Sequence, residues 1–96
     1  MTDWKKVLHA VMPRDKIRLV VREVADEMAI TPGDIMGVSR YADIVWARQI
    51  AMWRISNELN MPAAQIGRIF QKDHTTVLHA LKRVEEVIGE TECLEA

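Results

Sequence analysis

An all-α fold, a compact helical bundle containing a helix-turn-helix, is the class this sequence predicts. Apolar residues recur every three and four positions rather than alternating, and no stretch requires a strand. Aromatic content is only 5% while methionine contributes six residues. Near the end of the chain, a short helical stretch, two polar residues and a well-capped second helix follow one another without a gap. Ninety-six residues make one domain with a single modest core. That is too short for separate catalytic and binding domains.

Trp4, Val7, Leu8 and Val11 fall at i, i+3, i+4 and i+7, predicting a short amphipathic helix over 3–12 that Pro13 ends. It is expected to cap the core of the monomer, with a dimerisation face as the alternative. A longer helix follows over 14–29, with Ile17, Val20, Val21, Val24, Ala25 and Met28 as its apolar stripe. Thr31-Pro32-Gly33-Asp34 breaks the pattern, since Pro32 disfavours helix at the residue before it and Gly33 permits unusual backbone angles. A single turn of helix is expected from Pro32 to Met36, then a loop from Gly37 to Ala42.

The stretch 43–60 reads as the longest helix. Ile44, Ala47, Ala51, Ile55 and Leu59, with Val45, Trp46, Ile50, Met52 and Trp53 around them, make it apolar over more than half its girth. Such a helix must be covered on several sides, so it should be central. Trp46 and Trp53 share a face with Ile50, a stripe read as packing rather than a ligand box. Arg48 and Gln49 interrupt the helix near its start and face either a phosphate or solvent. Asn60-Met61-Pro62 marks a new start, with Pro62 suited to a first helical turn. A short helix over 63–70 contains Gly67, which would let another helix come close. Gln71 and Lys72 then separate it from Asp73, an N-cap residue type whose carboxylate also favours the positive end of a helix. Val77, Leu78, Leu81, Val84 and Ile88 supply the packing stripe of the last helix, and Gly89 its stop. The domain reading is therefore a capping helix in 1–13, a helix-turn-helix domain in 14–89 and a frayed acidic tail in 90–96.

The formal charge of −1 is unlike the basic footprint usual for a nucleic-acid binder. Its distribution is more informative. Residues 1–39 hold six basic and six acidic side chains, 40–83 seven and three, and 84–96 none and five. The middle is thus +4 and the tail −5, which sum with the neutral start to −1. A basic middle is compatible with DNA binding of modest electrostatic strength, and equally with a solvated face. Cys93 is the only cysteine, which excludes an internal disulfide and fits a reducing cytoplasm, an exposed reactive thiol being the alternative. With no membrane-length apolar run and no leader pattern, a soluble, cytoplasmic, nucleoid-associated protein is expected.

Several chemistries are disfavoured. His74 and His79 are five apart, about 140° round a helix, so they cannot share a metal as an i, i+4 pair does. The glycines at 33, 37, 67 and 89 are never followed by Lys-Ser or Lys-Thr, so no phosphate-binding loop of that kind is present. Ser39 and Ser56 lack any motif of an activated nucleophile. No enzyme activity, cofactor or metal is expected. What remains is the tip formed by Asp73, His74, Thr75 and Thr76. Thr and His there could meet base edges or a thymine methyl in the major groove, and the free amides beside Asp73 could meet a phosphate. The alternative is an ordinary surface helix with a good cap.

Ala47-Arg48-Gln49-Ile50-Ala51-Met52, Gln65-Ile66-Gly67-Arg68-Ile69-Phe70 and Asp73-His74-Thr75-Thr76-Val77-Leu78-His79-Ala80 together resemble the C-terminal DNA-binding domain of DnaA, the bacterial chromosomal replication initiator. The similarity covers about residues 14–87. The resemblance implies a helical bundle whose helix-turn-helix binds the duplex DnaA box. It implies that Asp73, His74, Thr75 and Thr76 face the major groove, that Arg48 and Gln49 lie at the DNA, and that His79, Lys82 and Arg83 sit beside it. Lys72 and Arg40 complete the expected DNA-binding set. The sequence also departs from the family pattern. The loop before the central helix, rich in Arg and Lys in the family, is Gly37-Val38-Ser39-Arg40-Tyr41-Ala42 and offers only Arg40. The turn, Gln71-Lys72, is short and lacks glycine. No counterpart of the initiator's ATPase and oligomerisation domains is found in these 96 residues.

The expected function is sequence-specific binding of double-stranded DNA at DnaA-box-like sites, regulating replication or transcription without ATPase activity. Self-association or a replication protein are further expected partners. Alternatives are a fragment of a full ATP-dependent initiator, and a protein-interaction module that has lost DNA binding.

Overall fold

The computed structural model describes residues 13–95, with side-chain surroundings for 14–92. The helix expected over 3–12 lies outside the described residues. Helix α1 spans Pro13–Met28, α2 Pro32–Met36, α3 Ala42–Glu58, α4 Ala63–Phe70 and α5 His74–Glu95, with no strand among the described residues. The all-α expectation is met.

Helix α1 begins on Pro13, whose missing amide hydrogen costs nothing in a first turn. It buries Ile17, Val20, Val21, Val24 and Ala25 of the predicted stripe, with Met28 at its end only half-buried. Its end is a Schellman motif: the Ile30 amide donates to the Ala25 carbonyl at 3.0 Å and the Ala29 amide to that of Asp26 at 3.3 Å. Ala29 occupies the left-handed position, with φ 56°. Helix α2 starts on a capping box, Thr31 Oγ1 accepting from the Asp34 amide and Asp34 Oδ2 from the Thr31 amide, both at 3.1 Å. Gly33, expected to supply an unusual backbone angle, has no positive φ. The left-handed positions fall instead on Ala29, Asn60 and Gln71, each closing a helix.

Helix α3 packs against α1, α2, α4 and α5, so it is the central helix as expected. Ala47, Arg48, Ala51, Met52 and Ile55 are its buried positions, whereas Trp46, Ile50 and Trp53 are only half-buried. Arg54 on α3 ties the bundle from outside, reaching Glu23 of α1 at 2.8 Å and Glu58 one turn on at 2.6 Å.

Two expectations about α5 need correction. The helix does not stop at Gly89 but continues to Glu95. One glycine costs about 1 kcal/mol in a helix and, with no proline after it, does not end one. Beyond it the Thr91 hydroxyl donates back to the Val87 carbonyl at 2.9 Å. Leu78, placed in the packing stripe, is 50% exposed. It is adjacent to Val77 and so lies about 100° away round the helix. Val77, Ala80 and Val84 take the core, with Leu81 packed at its edge.

Candidate nucleic-acid interface

The helix-turn-helix is α4, the turn at 71–73 and α5. Pro62 opens α4, its carbonyl accepting from the amides of Gln65 at 3.0 Å and Ile66 at 3.1 Å. Ile66, Gly67 and Phe70 are buried. Gln71 takes φ 55°, ψ 45°, and the Lys72 amide donates to the Gly67 carbonyl at 2.8 Å, a second Schellman turn with glutamine where glycine is usual. Gly67 itself is needed for another reason: a Cβ there would stand 2.5 Å from the Lys72 carbonyl oxygen. The close approach expected at Gly67 is thus real: it is made chiefly by the turn's backbone, and the amide nitrogen of His74, the first residue of α5, would also lie 3.5 Å from a Cβ there.

That turn aims the start of α5 outward. Asp73, His74, Thr75 and Thr76 are all exposed, while Val77 one position on is fully buried. The Asp73 carbonyl accepts the Val77 amide at 3.1 Å, so the helix is hydrogen-bonded from its first turn. His79, Lys82 and Arg83 are exposed further along α5, and Lys72 is half-buried in the turn. Lys72 and Thr76 line one shallow groove with Ser39, Arg40, Arg48 and Gln49. The loop, the start of α3 and the tip of α5 therefore meet on one side of the molecule.

Arg48 is where the geometry departs most from expectation. It is 6% exposed rather than free at the surface. Its Nε donates to the Ile35 carbonyl at 2.7 Å, Nη1 to Ser39 at 3.1 Å and Nη2 to Asp34 at 3.2 Å. Two of these carbonyls belong to the last turn of α2, where carbonyls lack helical partners and favour a cation. Burial pulls its pKa below the ordinary guanidinium value. Arg48 is thus the anchor that fixes the loop carrying Arg40. Within the loop, the Tyr41 amide donates to Ser39 Oγ at 3.4 Å.

The remaining bases of the middle segment divide by partner. Arg54 faces Glu23 and Glu58; its hydrogen bond to Glu58 raises its own pKa and holds the Glu58 carboxyl below the usual carboxylate range. Arg83 stands over the Trp46 ring, 5.5 Å from its centroid. Arg40, Arg68 and Lys82 are exposed. Neither the Arg48 anchor nor the Arg83–Trp46 contact was legible in the sequence, because both depend on which helices become neighbours. The exposure of Leu78 was not legible from spacing either, since the adjacent pairs Val20–Val21 and Ala51–Met52 are both buried. Among the described residues no helix is long and apolar enough to cross a membrane.

Residues 17–84 match the family described as "Bacterial dnaA protein helix-turn-helix". Among curated proteins, the chain is 46% identical to the chromosomal replication initiator protein DnaA of Limosilactobacillus reuteri over 83 residues, covering 83% of this chain and 19% of that protein. It is 38% identical to the protein of that name from Thermomicrobium roseum over 79 residues, 81% of this chain and 17% of the relative. With the Thermus thermophilus protein the identity is 35% over 69 residues, 71% and 16% of the two chains. The chain thus spans under a fifth of the length of these relatives.

Proposed function

Because this chain belongs to the bacterial DnaA helix-turn-helix family, we propose that it binds double-stranded DNA in a sequence-specific manner at DnaA-box-like sites. The observation that carries the reading is the exposed tip of α5, Asp73 to Thr76, held outward by a turn that only glycine at 67 accommodates. Thr75, Thr76 and His74 read base edges in the major groove, with Asp73 beside them at the exposed tip. Lys72, Arg40, Gln49, His79, Lys82 and Arg83 hold the flanking phosphates. Arg48 acts one step back, by setting the loop that presents Arg40.

The chain binds and does not catalyse; its role is in the cytoplasm, at the nucleoid, in regulating replication or transcription. Box recognition is the same whether the domain acts alone or attached to an ATPase, as its short coverage of the DnaA relatives leaves room for. With Arg40 the one base between Gly37 and Ala42, a single box is held weakly. Tight occupancy then needs paired sites, self-association or a replication protein.

Selection of bound duplexes from a random pool, followed by titration of the recovered sequence, tests the reading. A shared box held about 10³-fold or more tighter than unrelated duplex is the expected result. Enrichment of no common sequence would remove sequence-specific recognition.

A further inference from the structure

The Arg83 guanidinium lies 5.5 Å from the centroid of the Trp46 ring, joining the first half of α3 to the third turn of α5. Arg83 follows Thr76 by seven residues, so the two share a stripe of α5. Thr76 lines the groove with Gln49 of α3, and Trp46 precedes Gln49 by three residues on the same side of that helix. Trp46 and Arg83 therefore continue the same α3–α5 seam beyond the groove.

How Arg83 is held matters for its charge. Arg54 is fixed by two carboxylates and is neutralised by them. Arg83 has no carboxylate at salt-bridge distance among the described residues; Glu86, three positions on, makes no such pair. An aromatic face restrains a guanidinium while leaving its full charge outward. A guanidinium stacks through its flat face and donates hydrogen bonds in its plane, so a ring and a phosphate can be engaged together.

We propose that Trp46 is a positioning residue for DNA binding, whose indole holds Arg83, charged and preorganised, for a backbone phosphate flanking the box. The proposal rests on the DNA-binding reading above. It adds a residue that makes no ionic contact of its own and that the helix-turn-helix motif does not include. It also gives half-buried Trp46 a task distinct from filling the core.

Titration of the duplex recovered by selection, across a salt series, tests it with Trp46→Leu, Trp46→Phe, Arg83→Ala and the Trp46→Leu/Arg83→Ala double variant. Trp46→Leu is expected to weaken binding about two- to fivefold, with Trp46→Phe recovering most of the loss. Arg83→Ala should lower the slope of log K against log salt by about 0.9. In the Arg83→Ala background, Trp46→Leu should cost nothing further. A Trp46→Leu loss that persists undiminished without Arg83 would assign Trp46 to packing alone and overturn the proposal. So would an Arg83→Ala protein with unchanged affinity and slope, even if Trp46→Leu fails to fold. Both of those results leave box recognition standing, whereas a parent protein that does not discriminate the selected duplex takes down both.

Discussion

Arg48 Nε donates to the main-chain oxygen of Ile35 at 2.7 Å, from a side chain that is only 6% exposed, so the end of α2 hangs on a guanidinium rooted in α3. With Asp34 and Ser39 also accepting from it, one side chain sets the course of the loop that brings Arg40 to the groove. Arg48→Ala would leave those three carbonyls without their donor. A loss of about 2–4 kcal/mol of stability is expected, visible in urea unfolding. At temperatures where the variant stays folded, any fall in the salt slope of duplex binding should be the one Arg40→Ala alone produces, so Arg48→Ala should lower the slope no further in an Arg40→Ala background. A further fall of about 0.9 in that background would make Arg48 a phosphate contact after all.

Gly67 and Lys72 meet too closely for any side chain at 67. Alanine improves intrinsic helix propensity by about 1 kcal/mol. Its Cβ, however, would stand 2.5 Å from a backbone oxygen that cannot swing away. Gly67→Ala should therefore destabilise the protein by about 1–3 kcal/mol, the range of an overpacked core. It should also weaken duplex binding by re-aiming α5. Unchanged unfolding midpoint and affinity together would show that the turn gives way freely.

Glu58 carries a pH dependence whose sign is fixed by its partner. The hydrogen bond from Arg54 holds its folded pKa below the ordinary carboxylate value. The pair's contribution is thus present above the unfolded pKa of about 4.3 and is lost as pH falls through the folded value. The Glu58 side chain is 48% exposed, so solvent screening keeps the amount below about 1 kcal/mol. Glu58→Gln should lower stability slightly at pH 7 and flatten its decline below about pH 4. A steeper acid decline in the variant would reverse the assignment.

Helix content and the helix-turn-helix were legible because they rest on local signals: apolar spacing along α1 and α3, the break at Thr31-Pro32-Gly33-Asp34, and polar residues ahead of Val77. The single turn from Pro32 to Met36 follows from those signals without any knowledge of neighbours. The stop at Gly89 misled, since a glycine lowers helix propensity without forbidding helix. The left-handed turns at Ala29 and Gln71 carry no glycine to announce them. Arg48 shows the same limit at the site. As a residue type near a helix start it suits a phosphate or solvent, and only the fold puts the end of α2 against it. Trp46 likewise reads as packing until Arg83 is seen above it.

Base reading by the tip of α5 is tested most directly by titrating Thr75→Ala and Thr76→Ala, at one salt concentration, against the selected duplex and against a scrambled duplex of the same composition. Both hydroxyls are exposed at the helix start and carry no charge. Their loss is expected to cost about 1–3 kcal/mol on the selected site and much less on the scrambled one, narrowing the ratio between them. Equal losses on both duplexes, or none on either, would contradict sequence reading by this tip.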